Sequence, residues 1–133
     1  MHGVEVRTAG WVRAEAEVET VEVRLGYDPA DPFAVRVDIS GPARQSTWVF
    51  GRDLLADGLR SMTPIGDGCV RVQATSVLTE ISHVAESGDT VLLRLPWWNT
   101  REFVRLSQAQ VPRGHESCDV DAWVAALTSP REP

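Results

Sequence analysis

A rigid corner at residues 28–32 constrains this chain more than any other segment of its sequence. The corner reads Asp-Pro-Ala-Asp-Pro. Proline fixes φ and aspartate hydrogen-bonds to nearby backbone groups, so two Asp-Pro pairs in five residues predict a turn. Apolar and polar residues then alternate over 33–39, and the apolar face is formed by Phe33, Val35, Val37 and Ile39. This period of two predicts a half-buried strand that leaves the corner directly.

The residues after this strand predict a hairpin followed by a helix. Ser-Gly-Pro at 40–42 is typical of a turn, and residues 47–50 are all aromatic or β-branched, as is common in strands. Over 52–60 the apolar residues change to helical spacing, with Leu54, Leu55 and Leu59 on one side. The centre of the chain is therefore predicted to be strand, turn, strand and short helix.

The apolar pattern of the N-terminal part changes phase near residue 19. Even positions are apolar over 12–18, whereas odd positions are apolar over 21–25. A shift of one residue turns side chains to the other face of a sheet. Glu19 and Thr20 are therefore interpreted either as a tight connection between two strands or as a β-bulge, and we favour two strands.

Three further strands are predicted, over 70–74, 76–84 and 91–95. Short turns join them, such as Ser-Gly-Asp at 87–89. Strands in succession on short turns indicate an antiparallel sheet, because a parallel sheet needs a longer crossover between its strands.

The C-terminal third predicts two helices. Asn99 or Thr100 can cap the first, which runs to about residue 110, and Asn99 with Glu102 resembles a capping box. Val-Pro-Arg-Gly at 111–114 breaks this helix, and a second begins at Ser117 or Asp119 and ends at Pro130.

These elements together predict one domain of the α+β class, which covers residues 1–133. It is a twisted antiparallel β-sheet with a short central helix and two C-terminal helices. A chain of 133 residues with 43% hydrophobic residues is large enough to bury its own core. The tail from about residue 129 is expected to fray.

Composition excludes several classes of function. The net charge is -6, which argues against a tight and nonspecific nucleic-acid binder, because phosphate contacts need a basic face. No apolar run is long enough to span a membrane, and no secretory signal is visible at the start. We therefore expect a cytoplasmic protein in which Cys69 and Cys118 are reduced and mostly buried.

The sequence offers no pattern that indicates a catalytic, cofactor or metal site. His115, Glu116, Cys118 and Asp119 include good zinc donors, but no second group of matched ligands accompanies them. Asp28, Asp31 and Asp38 could form paired acids or a cation site, but turn chemistry explains the Asp-Pro pairs and the three acids do not share one rigid face, so we assign them a structural role. We expect neither an enzyme nor a bound cofactor or metal.

Two segments of the chain carry a family resemblance. The first is Tyr-Asp-x-Ala-Asp-Pro-aromatic-Ala-Val over 27–35, and the second is Trp-Val-Phe-x-Arg-Asp-Leu-Leu-Ala-x-Gly-Leu over 48–59. At this separation they resemble the SsgA-like sporulation and cell-division proteins of actinobacteria, and they are closest to the SsgB type. The resemblance continues more loosely to the C-terminus and is poor up to about Val18.

The resemblance implies more than the residues show on their own. It implies a fold similar to whirly-type single-strand-binding proteins, assembled as a homotrimer. It also implies a non-enzymatic regulator at the division septum, which helps to recruit the tubulin-like division GTPase FtsZ together with an SsgA-type protein. Nucleic acid and direct membrane insertion are not expected. The alternative is a single-stranded nucleic-acid-binding module, suggested by the whirly-like fold.

Three residues are candidates for partner binding: Arg52, Trp97 and Trp98. Arg52 lies near a helix N-terminus, where a cation is unfavourable, so it needs an acid. That acid is either inside the fold, which we favour, or on a partner. Trp97 and Trp98 are adjacent at a helix entry, so one can be buried while the other is partly exposed. They either fill the core or form an interface, where tryptophan is enriched.

Overall fold

Seven antiparallel strands and two helices make up the described part of the chain. The computed structural model describes residues 3–66 and 68–117. The elements in chain order are β1 (Val4–Ala14), β2 (Glu17–Tyr27), β3 (Ala34–Ser40), β4 (Gln45–Gly51), α1 (Arg52–Gly58), β5 (Val70–Ala74), β6 (Leu78–Val84), β7 (Thr90–Pro96) and α2 (Trp97–Gln110). The predicted α+β class, with an antiparallel sheet and a short central helix, is confirmed.

The sheet consists of two meanders joined along one seam. Its strand order is β4-β3-β2-β1-β7-β6-β5, so β1 to β4 are consecutive neighbours and so are β5 to β7. The seam is the pairing of β1 with β7, which runs from Trp11 opposite Arg94 to Ala14 opposite Val91. Each other pairing joins strands that follow one another in the chain.

The sheet is strongly curled, so that its two ends approach each other across the interior. Trp48 on β4, at one edge, stacks on His83 of β6 with 5.1 Å between ring centroids and 11° between ring planes. Between these ends lies a core of side chains with almost no exposed surface, which includes Leu25, Val37, Ile39, Ile81, Leu93 and Leu95. Burial of this apolar surface is the main stabilising contribution to such a fold.

Helix α1 packs on β5 and closes one side of this core. Gly58 makes the close approach possible, because a Cβ atom there would lie 2.3 Å from Cγ1 of Val72. Leu55 and Leu59 are buried as the sequence predicts, whereas Leu54 is only half-buried.

The position of the first turn was predicted wrongly. Two strands are present, but the turn between them lies at Glu15 and Ala16, where Glu15 has a φ of 56°. The alternation of apolar and polar residues over 12–18 continues across this turn and so hides it. It continues because Val18 is apolar, although it lies on the outer face of the sheet and is 62% exposed. β3 begins one residue later than predicted, because Phe33 lies outside the strand and is exposed.

The capping box at the start of α2 was also predicted wrongly. The helix begins at Trp97 directly after β7, and no side chain caps it. Asn99 instead donates from Nδ2 to Oγ1 of Thr8 (2.8 Å), and the Thr100 hydroxyl donates to the carbonyl of Pro96 (2.9 Å). Because Pro96 has a fixed φ and continues the strand into the helix without a loop, Asn99 lies inside the helix and cannot cap it.

Other sequence predictions have mixed outcomes. The corner at 28–32 is a turn, in which the backbone N–H of Ala30 donates to Oδ1 of Asp28 (2.9 Å). Cys69 is exposed, against the expected burial. The second C-terminal helix, the frayed tail and Cys118 lie outside the described residues. No helix within the described residues is long and apolar enough to span a membrane.

Candidate interaction surface at the start of helix α2

The two adjacent tryptophans have different environments. Trp97 is partly buried against the core, and its indole Nε1 donates to the carbonyl of Leu59 (2.9 Å). Its backbone N–H donates to the carbonyl of Val77, also over 2.9 Å. Trp98, the next residue on the helix, is 65% exposed. One ring therefore anchors the helix to α1, while the other is presented to solvent.

A second large exposed apolar residue lies next to the tryptophans. Val77, which is 69% exposed, accepts the backbone hydrogen bond of Trp97 described above. We call Val77 and Trp98 the Trp98 patch. A single exposed apolar residue is ordinary, but adjacent large ones indicate a contact surface.

Arg101 links the Trp98 patch to a groove between α1 and α2. Its guanidinium lies 5.7 Å from the Trp97 ring centroid and 5.4 Å from that of Trp98, which are cation–π distances. Arg101 is i+4 from Trp97 and i+3 from Trp98, so helix geometry brings the three side chains together. This spacing was visible in the sequence, although Arg101 was not among the residues predicted for the site.

The groove carries four arginine side chains, and we call them the arginine groove: Arg60, Arg101, Arg105 and Arg113. Arg113 makes a bidentate pair with Asp57, from Nη1 to Oδ1 (2.6 Å) and from Nη2 to Oδ2 (3.0 Å). These hydrogen bonds hold the pKa of the Asp57 carboxyl below its usual value. Arg105 pairs in the same way with Glu102 on its own helix.

The other two arginines of the groove, Arg60 and Arg101, form no ion pair with any residue that the structure describes. Both are exposed. Among the described residues, the arginine groove therefore presents two cations without an ion-pairing partner, although the chain as a whole is acidic.

Arg52 lies elsewhere, in the interior. Its side chain has no exposed surface, and its guanidinium lies 4.8 Å from the ring centroid of Tyr27. Nη1 donates to the carbonyl of Ser107 and Nη2 to Oε2 of Glu116, both over 3.0 Å. The acid that Arg52 needs is thus inside the fold, which is the favoured of the two alternatives. The structure does not bring Arg52 together with Trp97 and Trp98 on one surface.

Glu116 was considered in the sequence only as a metal ligand, and its structural role was missed. One carboxylate oxygen, Oε1, accepts from the backbone N–H of Gly114 (2.6 Å), while Oε2 faces Arg52. A hydrogen bond from its own backbone, followed by the Arg52 guanidinium, lowers the pKa of Glu116. No local pattern could have shown this pair, because its members are far apart in the sequence.

The described residues contain no group of three or more His, Cys, Asp or Glu side chains that could hold a metal ion. Of the cluster considered in the sequence, His115 is exposed and Glu116 is occupied by Arg52. Cys118 and Asp119 lie outside the described residues.

Comparison with known proteins gives matches over most of the chain. The model of the SsgA family, described as Streptomyces sporulation and cell division protein, matches residues 21–116. A sporulation-specific cell division protein of Frankia casuarinae is 37% identical over 84% of this chain and 77% of its own length. SsgB of Salinispora tropica is 35% identical over 96% of this chain and 94% of its own length.

Two solved structures share the fold. One, reported with mutations in SsgB that correlate to longitudinal cell division during sporulation of Streptomyces coelicolor, has a TM-score of 0.70 and 32% identity. The match covers 87% of this chain and 96% of that one. An SsgA-like sporulation-specific cell division protein from Thermobifida fusca has a TM-score of 0.80 over 95% of this chain and 96% of its own, at 23% identity, and supports the fold alone.

The curled seven-stranded sheet with two helices is thus the architecture of these structures, and the family model covers the chain from within β2 to the segment that follows α2. The resemblance of segments 27–35 and 48–59 is confirmed by these matches. The chain belongs to the SsgA family and is of the SsgB type.

Proposed function

We propose that this protein is a non-enzymatic adaptor of actinobacterial cell division and sporulation, which acts on the cytoplasmic side of the septum. In this proposal it docks on FtsZ and helps to recruit it or to promote its polymerisation. The support is the family description and the names of the relatives, which are sporulation-specific cell division proteins. The observation that carries a docking role is the Trp98 patch with its 65% exposed tryptophan.

The chemistry of the surface suits docking. Tryptophan and arginine are the residues most enriched where binding energy concentrates in protein interfaces. Trp98 offers apolar area, and the indole of Trp97 is fixed by its hydrogen bond to Leu59, so the surface is ordered before a partner arrives. Preorganisation of this kind reduces the entropic cost of binding.

Assembly would increase the effect of one such surface. In the homotrimer that the family resemblance implies, with its likeness to whirly-type proteins, three copies of the Trp98 patch would face a filament that repeats its own binding sites. Linked sites raise the effective concentration of each contact, so weak single contacts give tight binding overall. The SsgA-type protein would be a second partner of the same assembly.

Co-sedimentation with polymerising FtsZ from the same host, at physiological salt, tests this proposal. We expect the wild-type protein to pellet with polymers and Trp98→Ala to pellet about tenfold less, as for a hot-spot residue. Trp11→Ala is the matched control, because Trp11 is also exposed (46%) but lies on the outer face of the sheet. Absence of the folded wild-type protein from the pellet would contradict docking on FtsZ. Light scattering tests the trimer, since a monomeric mass would exclude it.

One observation favours the second candidate function, a single-stranded nucleic-acid-binding module. The arginine groove adjoins two tryptophans, and such modules combine a basic groove with aromatic side chains on which bases stack. Against it, two of the four arginines are already paired with acids and the net charge is -6. Binding of a labelled oligonucleotide at two salt concentrations tests it, and loss of all signal at modest salt would leave only nonspecific attraction.

A further inference from the structure

We propose that the arginine groove and the Trp98 patch together bind a short acidic peptide segment of a partner, which carries one bulky apolar side chain. This inference rests on the proposed function, since it names the chemistry of the docked partner. It is argued from the charges, their fixed geometry and their position beside exposed apolar surface.

The first step is the distribution of positive charge. Four described arginines form no ion pair with a described residue: Arg13, Arg60, Arg71 and Arg101. Two of these four, Arg60 and Arg101, line one groove. Most of the described arginines form ion pairs, so two arginines without one in a single groove of an acidic chain favour an anionic ligand.

The second step is how firmly the side chain of Arg101 is oriented. The Arg101 guanidinium lies 5.7 and 5.4 Å from the centroids of the two indole rings. A planar guanidinium that stacks on an aromatic face can still pair with a carboxylate through its edge, and one that is already oriented loses little entropy when it does so. Arg105 and Arg113 already pair with Glu102 and Asp57, so they are not counted among the cations that a ligand would meet.

The third step is the apolar surface at the end of the groove. The Arg101 guanidinium lies over the Trp98 ring, and Trp98 and Val77 are both large and exposed apolar residues. A ligand that reaches from the groove to the patch therefore needs carboxylates at one end and an aliphatic or aromatic side chain at the other. An acidic peptide with one such residue has both features.

A polynucleotide fits these observations less well. It needs a continuous row of unpaired cations and several free stacking faces. Of the groove's four arginines only two are uncompensated by described acids, and Arg101 stacks against Trp98. A short peptide with two or three carboxylates requires no more than the groove provides, and its small charge is repelled less by an acidic protein.

The test is fluorescence anisotropy with the full chain and a labelled peptide, acetyl-Asp-Asp-Asp-Leu-amide. We expect binding that weakens as salt rises, and a loss of about tenfold or more in Arg60→Gln/Arg101→Gln, since charge-assisted contacts are removed. Arg13→Gln/Arg71→Gln is the matched control, because these exposed cations lie on strands away from the groove. It should bind as the wild type does.

Several outcomes would overturn the inference. These are no binding by the wild type, equal binding of the analogue with Asn for each Asp, and an unchanged affinity of Arg60→Gln/Arg101→Gln. Binding of an oligothymidylate that is lost in this same variant, without peptide binding, would assign the groove to nucleic acid.

The same variants in the FtsZ co-sedimentation separate the two proposals. If Trp98→Ala abolishes pelleting while the wild type binds no acidic peptide, docking stands and the acidic chemistry is wrong. If the peptide binds through Arg60 and Arg101 but the protein never pellets with FtsZ, the inference stands and the proposed partner is wrong.

Discussion

The guanidinium of Arg52 donates from Nη2 to Oε2 of Glu116 over 3.0 Å, although 64 positions separate the two residues in the sequence. This ion pair lies under the surface, where Arg52 has no exposed area. Because Nη1 also donates to the carbonyl of Ser107, one side chain connects the start of α1, the end of α2 and the segment that follows α2.

Removal of the cation is therefore expected to be costly. Arg52→Ala should lower the free energy of unfolding by about 3–5 kcal/mol, because it leaves the facing carboxylate and the Ser107 carbonyl without their donor. Urea unfolding followed by circular dichroism measures this. The control is Arg105→Ala, which removes a member of the exposed pair with Glu102 and should leave the urea midpoint unchanged. Equal midpoints for both variants would show that the buried pair is not structural.

Stability should fall in acid, and Glu116 and Asp57 should contribute to the fall. The pKa of each is lower in the folded protein than its ordinary value, through hydrogen bonds from backbone and Arg52 for Glu116 and from Arg113 for Asp57. A carboxyl with a lowered folded pKa binds its proton more readily when unfolded. Its contribution is therefore complete above the unfolded pKa and disappears as the pH falls through the folded pKa.

The pH window follows from the ordinary pKa of carboxyl groups, which is about 4. The stability difference between wild type and Glu116→Gln should be constant from about pH 7 to 5 and should shrink as the pH falls below about 4. Urea midpoints at pH 7, 5, 4 and 3 measure it. A difference that stays constant down to pH 3 would contradict the lowered pKa.

The close packing of α1 on β5 predicts a large difference between two glycine substitutions. Gly58→Ala places a Cβ 2.3 Å from Cγ1 of Val72 and should destabilise by about 1–3 kcal/mol through overpacking. Gly68→Ala meets nothing within 4 Å and should change stability by no more than about 0.5 kcal/mol. Thermal unfolding of the two variants tests this, and similar melting temperatures would mean that α1 does not sit on β5 as described.

Aspartate substitutions at Phe50 and Leu54 distinguish a buried apolar position from a half-buried one. Phe50→Asp should prevent folding, because Phe50 is 9% exposed and faces the core from β4, where a carboxylate has no partner. Leu54 belongs to the apolar side of the helix predicted over 52–60, but in the structure it is half-buried. The carboxylate of Leu54→Asp can therefore reach water, and the variant should fold. The yield of folded protein and its circular dichroism decide between these expectations.

Much of the fold follows from local patterns in the sequence. The alternation over 33–39 and the helical spacing over 52–60 are each produced by neighbouring residues, and the structure has β3 and α1 there within two residues. The first turn was misplaced because Val18 is apolar although it lies on the outer face of the sheet. Residues on that face are usually polar, and their alternation with apolar residues is what identifies a strand. The start of α2 was misplaced because a strand leads into it without a loop, which no capping signal can show.

The candidate surface could be predicted only in part. The different burial of Trp97 and Trp98 follows from helix geometry, and so does the position of Arg101 beside both rings. Val77 comes beside α2 through the long-range hydrogen bond that its carbonyl accepts from the backbone N–H of Trp97, for which the sequence has no local signature. The partner of Arg52 was missed for the same reason.

The two meanders of the sheet have a consequence for how the chain reaches its native state. Each hairpin within β1–β4 and within β5–β7 closes a short loop, which costs little entropy, whereas the seam between β1 and β7 joins residues about eighty positions apart. We therefore expect the two halves to form early and independently, and the pairing of residues 11–14 with β7 to limit the rate of folding. Two chains could exchange their C-terminal halves at the same seam, because β7 of one chain can pair with β1 of another in place of its own β1.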